Sequence, residues 1–284
     1  MLGAIEAGGT KFVCAISENG IDIIDQETFP TTTPDETIAQ VIGYFKAHPA
    51  DRIGLASFGP IDVNRKSNQY GYITKTPKAG WQFFDILGTL QKHFPDTKFA
   101  FTTDVNAAAY GELKAGAGKG LNDLVYWTVG TGVGAGIVQN GQLLQGYSHP
   151  EAGHIILRRH PDDTFAGNCP FHGDCLEGMT SGPALQKHWG KPAKDLPADH
   201  PAWDLEAYYL AQACVDLTLT VAPEKIVFGG GVMHQQQLFP KIRDQFNRLL
   251  NDYVTVPPLD SYIVPIDLAD NAGAIGAFLL AQTA

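Results

Sequence analysis

The chain has 284 residues, 44% hydrophobic and 18% charged, which is the composition of a globular protein with room for one large domain or two moderate ones. Its net charge of −10 repels nucleic-acid phosphates and anionic membranes, so neither is an expected partner. No apolar run approaches the ~20 residues that a membrane span needs, and "MLGAIEAGGTKF" lacks the basic flank of a signal peptide, so a cytoplasmic location is expected.

In chain order, "LGAIE" (2–6) reads as a buried strand, "AGGT" as a turn, and "KFVCAISENG" and "IDIIDQETF" as two further strands of a meander. Thr33, Pro34 and Glu36 form the start signal of a helix whose apolar face is Ile38, Val41, Ile42 and Phe45. "RIGLASFGP" reads as a strand, 83–94 as a helix, "KFAFTTD" as a strand and 104–116 as an alanine-rich helix. The opening pattern then returns: "LVYWTVG", the glycine turn "TGVG", "AGIVQNG" and "QLLQG". Helices near 180–188 and 203–222, the strand "KIVFGGG", another helix and a closing apolar helix from about 271 follow. The recurrence points to two domains of like topology from an old duplication. Their boundary falls in the Gly-rich "KAGAGKGLND", giving residues 1–117 and 118–270, with helix 271–284 free to pack back on the first.

Glycine turns let a backbone come close to an anion and aim its N–H groups at it. "EAGGTK" supplies Gly8, Gly9, Thr10 and Lys11, and "GTGVGAG" supplies Thr131, Gly132 and Gly134. Neither is a Walker A motif, and either alone is most simply a hairpin turn. Two matching turns in duplicated halves suggest a nucleoside triphosphate between them. A third cluster, Gly229, Gly230 and Gly231, fits either a strand-to-helix turn or a surface for adenosine. Asp104 ends a strand and opens a helix in "FTTDVNAAAYGE". It reads either as a helix cap or as the carboxylate that takes a proton from an attacking hydroxyl. Cys14 and Cys214 read as buried apolar residues.

Together "IEAGGTK", "TDVNAAA", "GTGVGAG", "HPEAGH", "RRHPDD", "CPFHGDCLEG", "GGGV" and "DNAGAIGAFLLA" resemble the ROK family of sugar kinases and regulators, most closely its zinc-containing bacterial fructokinases, along nearly the whole chain. The resemblance implies an α/β, two-domain actin-like ATPase fold with duplicated βββαβαβα-type lobes and an active-site cleft between them. It implies Mg-ATP with its phosphates near Gly8–Lys11 and Thr131–Gly134 and its adenosine near Gly229–Gly231. It makes Asp104 the general base for the 6-hydroxyl of a hexose. It assigns sugar contacts to Gly59, Thr76, Thr103, Asp104, Glu151, His154 and Glu177, and it implies a homodimer. Two positions depart from the family pattern. Glu6 stands where an Asp is usual, with a longer reach for a water-mediated link to magnesium, and Thr103 stands where glucose-type members carry an Asn. An amide spans two neighbouring hydroxyls and a threonine does not, which favours a ketose over glucose.

Cys169, His172 and Cys175 lie on one short turn, and His154 upstream completes a Cys2His2 set. Spacing alone leaves zinc, a polar loop and a disulfide or reactive cysteine open. The resemblance selects structural zinc, with His172 where family members usually have a third cysteine. The expected activity is ATP-dependent phosphorylation of fructose at O6. The competing readings are a mannokinase, glucokinase or broad hexokinase, and a non-catalytic, zinc-stabilised sugar sensor.

Overall fold

A computed structural model describes residues 1–284. In chain order its elements are β1 (Leu2–Ala7), β2 (Lys11–Ser17), β3 (Asp25–Pro30), α1 (Pro34–Ala47), β4 (Arg52–Ser57), α2 (Ile86–His93), β5 (Lys98–Thr103) and α3 (Asp104–Ala115). After these come β6 (Leu124–Val129), β7 (Val133–Gln139), β8 (Gln142–Leu143), α4 (Leu176–Thr180), α5 (Gly182–Trp189) and α6 (Ala202–Val221). The chain closes with β9 (Lys225–Gly229), α7 (Leu238–Leu250), α8 (Leu259–Tyr262), β10 (Ile263–Pro265) and α9 (Ala272–Ala281). No helix is long and apolar enough to cross a membrane.

The chain forms two units. One comprises Met1–Lys119, Leu143–His149 and Leu268–Ala284, and the other Gly120–Gln142 and Pro150–Asp267. Each is built on a five-stranded sheet, in the orders β3-β2-β1-β4-β5 and β10-β9-β6-β7-β8. In the first, β1 pairs antiparallel with β2 and parallel with β4, and β4 pairs parallel with β5. In the second, β6 pairs antiparallel with β7 and parallel with β9, and β9 parallel with β10. The two sheets therefore share one topology. Parallel pairs need crossover connections, and those segments carry the helices.

Several local expectations are refined. Thr33 caps α1 by accepting a hydrogen bond from Glu36 N, but the buried face of that helix runs through Ile38, Val41, Tyr44 and Phe45, while Ile42 is only partly buried. The apolar period locates a stripe without saying which flank the sheet will cover. The third strand is confined to Asp25–Pro30 rather than 21–29, because it is an edge with only Phe29 buried. β8 shrinks to two residues of the predicted "QLLQG". The helix predicted over 83–94 begins at Ile86, where Asp85 caps it through Gly88 N at 2.8 Å.

α9 is apolar on every side, as a helix enclosed by protein must be. It packs on α3, β1 and β4. Glycine permits the approach: a Cβ at Gly276 would fall on the Ala107 carbonyl, and one at Gly54 on the Ala277 carbonyl. Cys14 and Cys214 are fully buried.

Candidate active site and metal centre

In the first unit, the hairpin register runs to Ala7 opposite Phe12, leaving residues 8–11 to make the turn. Gly8 N donates to Lys11 O at 3.0 Å. Thr31 fastens the turn from outside: its Oγ1 donates to Gly8 O at 2.7 Å and its N to Thr10 O at 2.9 Å. Gly9 and Thr10 stay exposed at the tip and Lys11 at the base of β2.

At the same end of the sheet, β5 hands over to α3. Thr103 takes the cap, its Oγ1 accepting from Asn106 N at 3.2 Å. Asp104 is thereby the first helical residue rather than the cap, and its Oδ1 accepts from Val105 N at 2.8 Å. A carboxylate at that end is favoured by the helix dipole. Glu6, half-buried on β1, has its carboxyl pushed up to about 7, chiefly by burial, then by the negative charge of Asp104 and of Asp270, with Lys11 opposing. Gly273 makes room for it, since a Cβ there would lie 2.7 Å from the Glu6 carboxyl. Asp270 and Gly273, in "DNAG" before and within the start of α9, are participants that local pattern did not single out. Gly59, just beyond β4, is half-buried, and Thr76 is buried with its Oγ1 accepting from Lys78 N at 3.3 Å.

In the second unit, the turn between β6 and β7 holds Thr131, exposed, and Gly132 and Gly134, half-buried. Gly130 N donates to Gly132 O at 2.9 Å, and Gly130 O accepts from Gly182 N at 2.7 Å. Gly229 ends β9, where Tyr126 and Ile266 crowd it. Gly230 has φ +92, a conformation that favours glycine, and Gly231 opens a 3-10 turn with no heavy atom within 4 Å of where a Cβ would lie.

The Cys/His turn closes on itself. Cys169 and Gly173 exchange both backbone hydrogen bonds, at 3.1 and 3.0 Å, with Gly173 at φ +68. A bridge between Ile156 and Cys175 brings in the upstream arm. As a result Cys169 Sγ lies 3.7 Å from both His154 Nδ1 and His172 Nδ1, and Cys175 Sγ lies 3.5 Å from His154 Nδ1. All four ligand atoms fall within 4.8 Å of one another, a group that could hold a metal ion. Both cysteines are buried, and burial pushes the Cys175 thiol up to about 11, with Cys169 and Glu177 adding to the rise and the Gly178 N–H opposing it. A cation among the four reverses that balance by favouring thiolate. Glu151 and Glu177 flank the cluster. Partial burial raises the Glu151 carboxyl above its ordinary range, His154 opposes this and Glu177 adds to it. The structure thus gathers Glu151, His154 and Glu177 in one unit and Glu6, Lys11 and Asp104 in the other.

The duplicated sheet, with a glycine turn closing the first hairpin of each copy, defines the actin-like ATPase fold of the sugar-kinase type. A solved ROK hexokinase from Thermus thermophilus has the same architecture: TM-score 0.82, 25% identity, covering 99% of this chain and 98% of that one. The ROK family profile matches residues 2–284, and the chain belongs to the ROK family. It is 52% identical over 284 residues to a fructokinase of Pediococcus pentosaceus, covering 100% of this chain and 98% of that protein. It is 46% identical over 288 residues to a fructokinase of Streptococcus mutans serotype c, covering 99% and 97%.

Proposed function

We propose that the chain is an ATP-dependent fructokinase, converting D-fructose and ATP to fructose 6-phosphate and ADP. The observation that carries this reading is the end-to-end identity of 52% and 46% with two fructokinases. The geometry of each unit supplies chemistry that suits it. Asp104, fixed on the first turn of α3, takes the proton of the 6-hydroxyl as O6 bonds to the γ-phosphorus and the bond to the β-phosphate oxygen breaks. Gly8–Lys11 and Thr131, Gly132 and Gly134 present N–H, hydroxyl and ammonium donors to the phosphates. Glu151, His154 and Glu177 offer groups that hold sugar hydroxyls, and Gly59, Thr76 and Thr103 are further sugar contacts in this reading. Gly231, open above its backbone, suits the adenosine. Magnesium bound with the triphosphate neutralises its charge, and the crowding of Glu6 by Asp104 and Asp270 fits a water-mediated link to that ion.

The donor set at the Cys/His cluster fits zinc. Zinc bonds to sulfur at about 2.3 Å and to nitrogen at about 2.0–2.1 Å, so tetrahedral ligation spaces S and N about 3.5 Å apart. The observed separations are 3.5, 3.7 and 3.7 Å. Four protein ligands close the site, which makes it structural rather than catalytic. His154 serves as its ligand through Nδ1.

The test is a panel of D-fructose, D-mannose and D-glucose with ATP and magnesium, scored by kcat/KM. Fructose is expected to lead. Equal or better turnover of glucose or mannose would replace the reading with a broad hexokinase. Binding of sugar with no phosphoryl transfer, unaltered by Asp104→Asn, would make the chain a sensor. In the kinase, Asp104→Asn lowers kcat by orders of magnitude and leaves sugar binding largely intact.

A further inference from the structure

The peptide of Val133, where the second glycine turn enters β7, is held on both sides by the arms of the Cys/His cluster. From one arm, Glu177, two residues after Cys175, accepts a hydrogen bond from Val133 N at Oε2, 3.0 Å away. The same carboxylate lies so near the turn that a Cβ at Gly132 would come within 2.8 Å of Oε2. From the other arm, Gly153, adjacent to His154, packs directly on the Val133 carbonyl, where any Cβ would collide. The first residue of α5 adds a third tie through Gly182 N to Gly130 O. Within the turn itself, two of whose three residues are glycine, the Gly130 N to Gly132 O hydrogen bond is a weak constraint on conformation. Here its exit is pinned by a charged acceptor and a backbone contact, both anchored within two residues of a cluster ligand.

We propose that Glu177 is a positioning residue for the nucleotide: through Val133 it sets the glycine turn Gly130–Gly134, and so couples the metal cluster to phosphate binding as well as to the sugar. This rests on the kinase reading given above, in which that turn meets the phosphates. A carboxylate that only met sugar hydroxyls would leave nucleotide affinity alone when replaced. One that also holds the turn changes it, because a turn that must be ordered on binding charges that entropy against affinity.

The experiment compares Glu177→Gln, Glu177→Met and Glu177→Ala in the metal-loaded protein, with metal content and circular dichroism checked for each. Affinity for a non-hydrolysable ATP analogue without sugar is measured by calorimetry, exchange protection of the Val133 amide by NMR, and KM separately for ATP and fructose. The Gln side chain keeps an acceptor oxygen, so analogue affinity should stay within about twofold, while KM for fructose rises with loss of the charge. Met keeps the length without an acceptor, and should weaken the analogue about tenfold and strip protection from Val133. Ala should do the same, and if it fails to fold, Met carries the comparison. Wild-type analogue affinity and Val133 protection in folded Glu177→Met would overturn the inference while leaving the kinase intact. No analogue binding by the wild type would instead overturn the kinase reading on which it rests.

Discussion

His149 Nε2 lies 3.2 Å from both the peptide nitrogen and the carbonyl oxygen of Ile61, so the imidazole accepts from one or donates to the other according to its tautomer. His149 is buried and stands two residues before Glu151, and Ile61 stands two after Gly59. The ring thus fastens the segment leading to one proposed sugar ligand onto the loop that carries another. His149→Gln, whose amide reaches the same place with both a donor and an acceptor, should keep KM for fructose within about threefold. His149→Phe, which offers neither, leaves a buried peptide group unpaired at a cost of about 1–3 kcal/mol. It should raise KM for fructose more than KM for ATP. Equal behaviour of the two variants would show that only the ring's bulk matters.

Gly276 offers no space for a side chain, because a Cβ there would meet Ala107 O and approach Gly111 N to 3.0 Å. Gly276→Ala should separate α9 from α3 and destabilise the protein by roughly 1–3 kcal/mol, read from the urea midpoint. Gly43, exposed on α1 with nothing within 4 Å of where a Cβ would lie, is the contrasting case. There Gly43→Ala should stabilise by about 0.5–1 kcal/mol.

Removal of the zinc proposed at the Cys/His cluster should loosen the 154–175 region and weaken sugar binding and stability together. Stripping with a chelator, or Cys175→Ser, is expected to lower Tm by at least roughly 5 °C and to raise KM for fructose. A folded, demonstrably metal-free protein with full activity and unchanged Tm would contradict this.

Glu6 predicts a pH dependence in the ligand-free protein. Its carboxyl keeps a proton up to about 7 when folded, against an ordinary value of 4.5. The folded state therefore binds more protons than the unfolded state between those values. Its contribution to stability is full below 4.5 and is lost as the pH rises through about 7. Glu6→Gln should flatten that part of the profile. Urea midpoints of both proteins on either side of the window measure the difference, and parallel profiles would show that Glu6 does not carry it.

Much of this molecule can be read from short stretches. The glycine turns, the Asp-first helix after β5, the cap at Thr33 and the Cys/His turn all depend on residues within a few positions of each other, where backbone geometry alone dictates neighbours. Even the duplication is visible, because each copy repeats strand, glycine turn, strand and Asn-Gly. Local pattern was least secure where one face competes with another, as when Tyr44 rather than Ile42 joined the buried side of α1.

Other relationships arise only when distant segments fold together. Thr31 closes the first glycine turn, Asp270 and Gly273 reach Glu6 from the far end of the chain, His149 finds Ile61, and Glu177 finds Val133. None has a spacing that marks it, because the sheet register and the packing of α9 set those distances. Residue order establishes which side chains are available and which turns they occupy. Which carboxylates crowd one another and which backbone groups they hold follows from the folded arrangement, because charge and hydrogen bonding act through space over a few ångströms rather than along the chain.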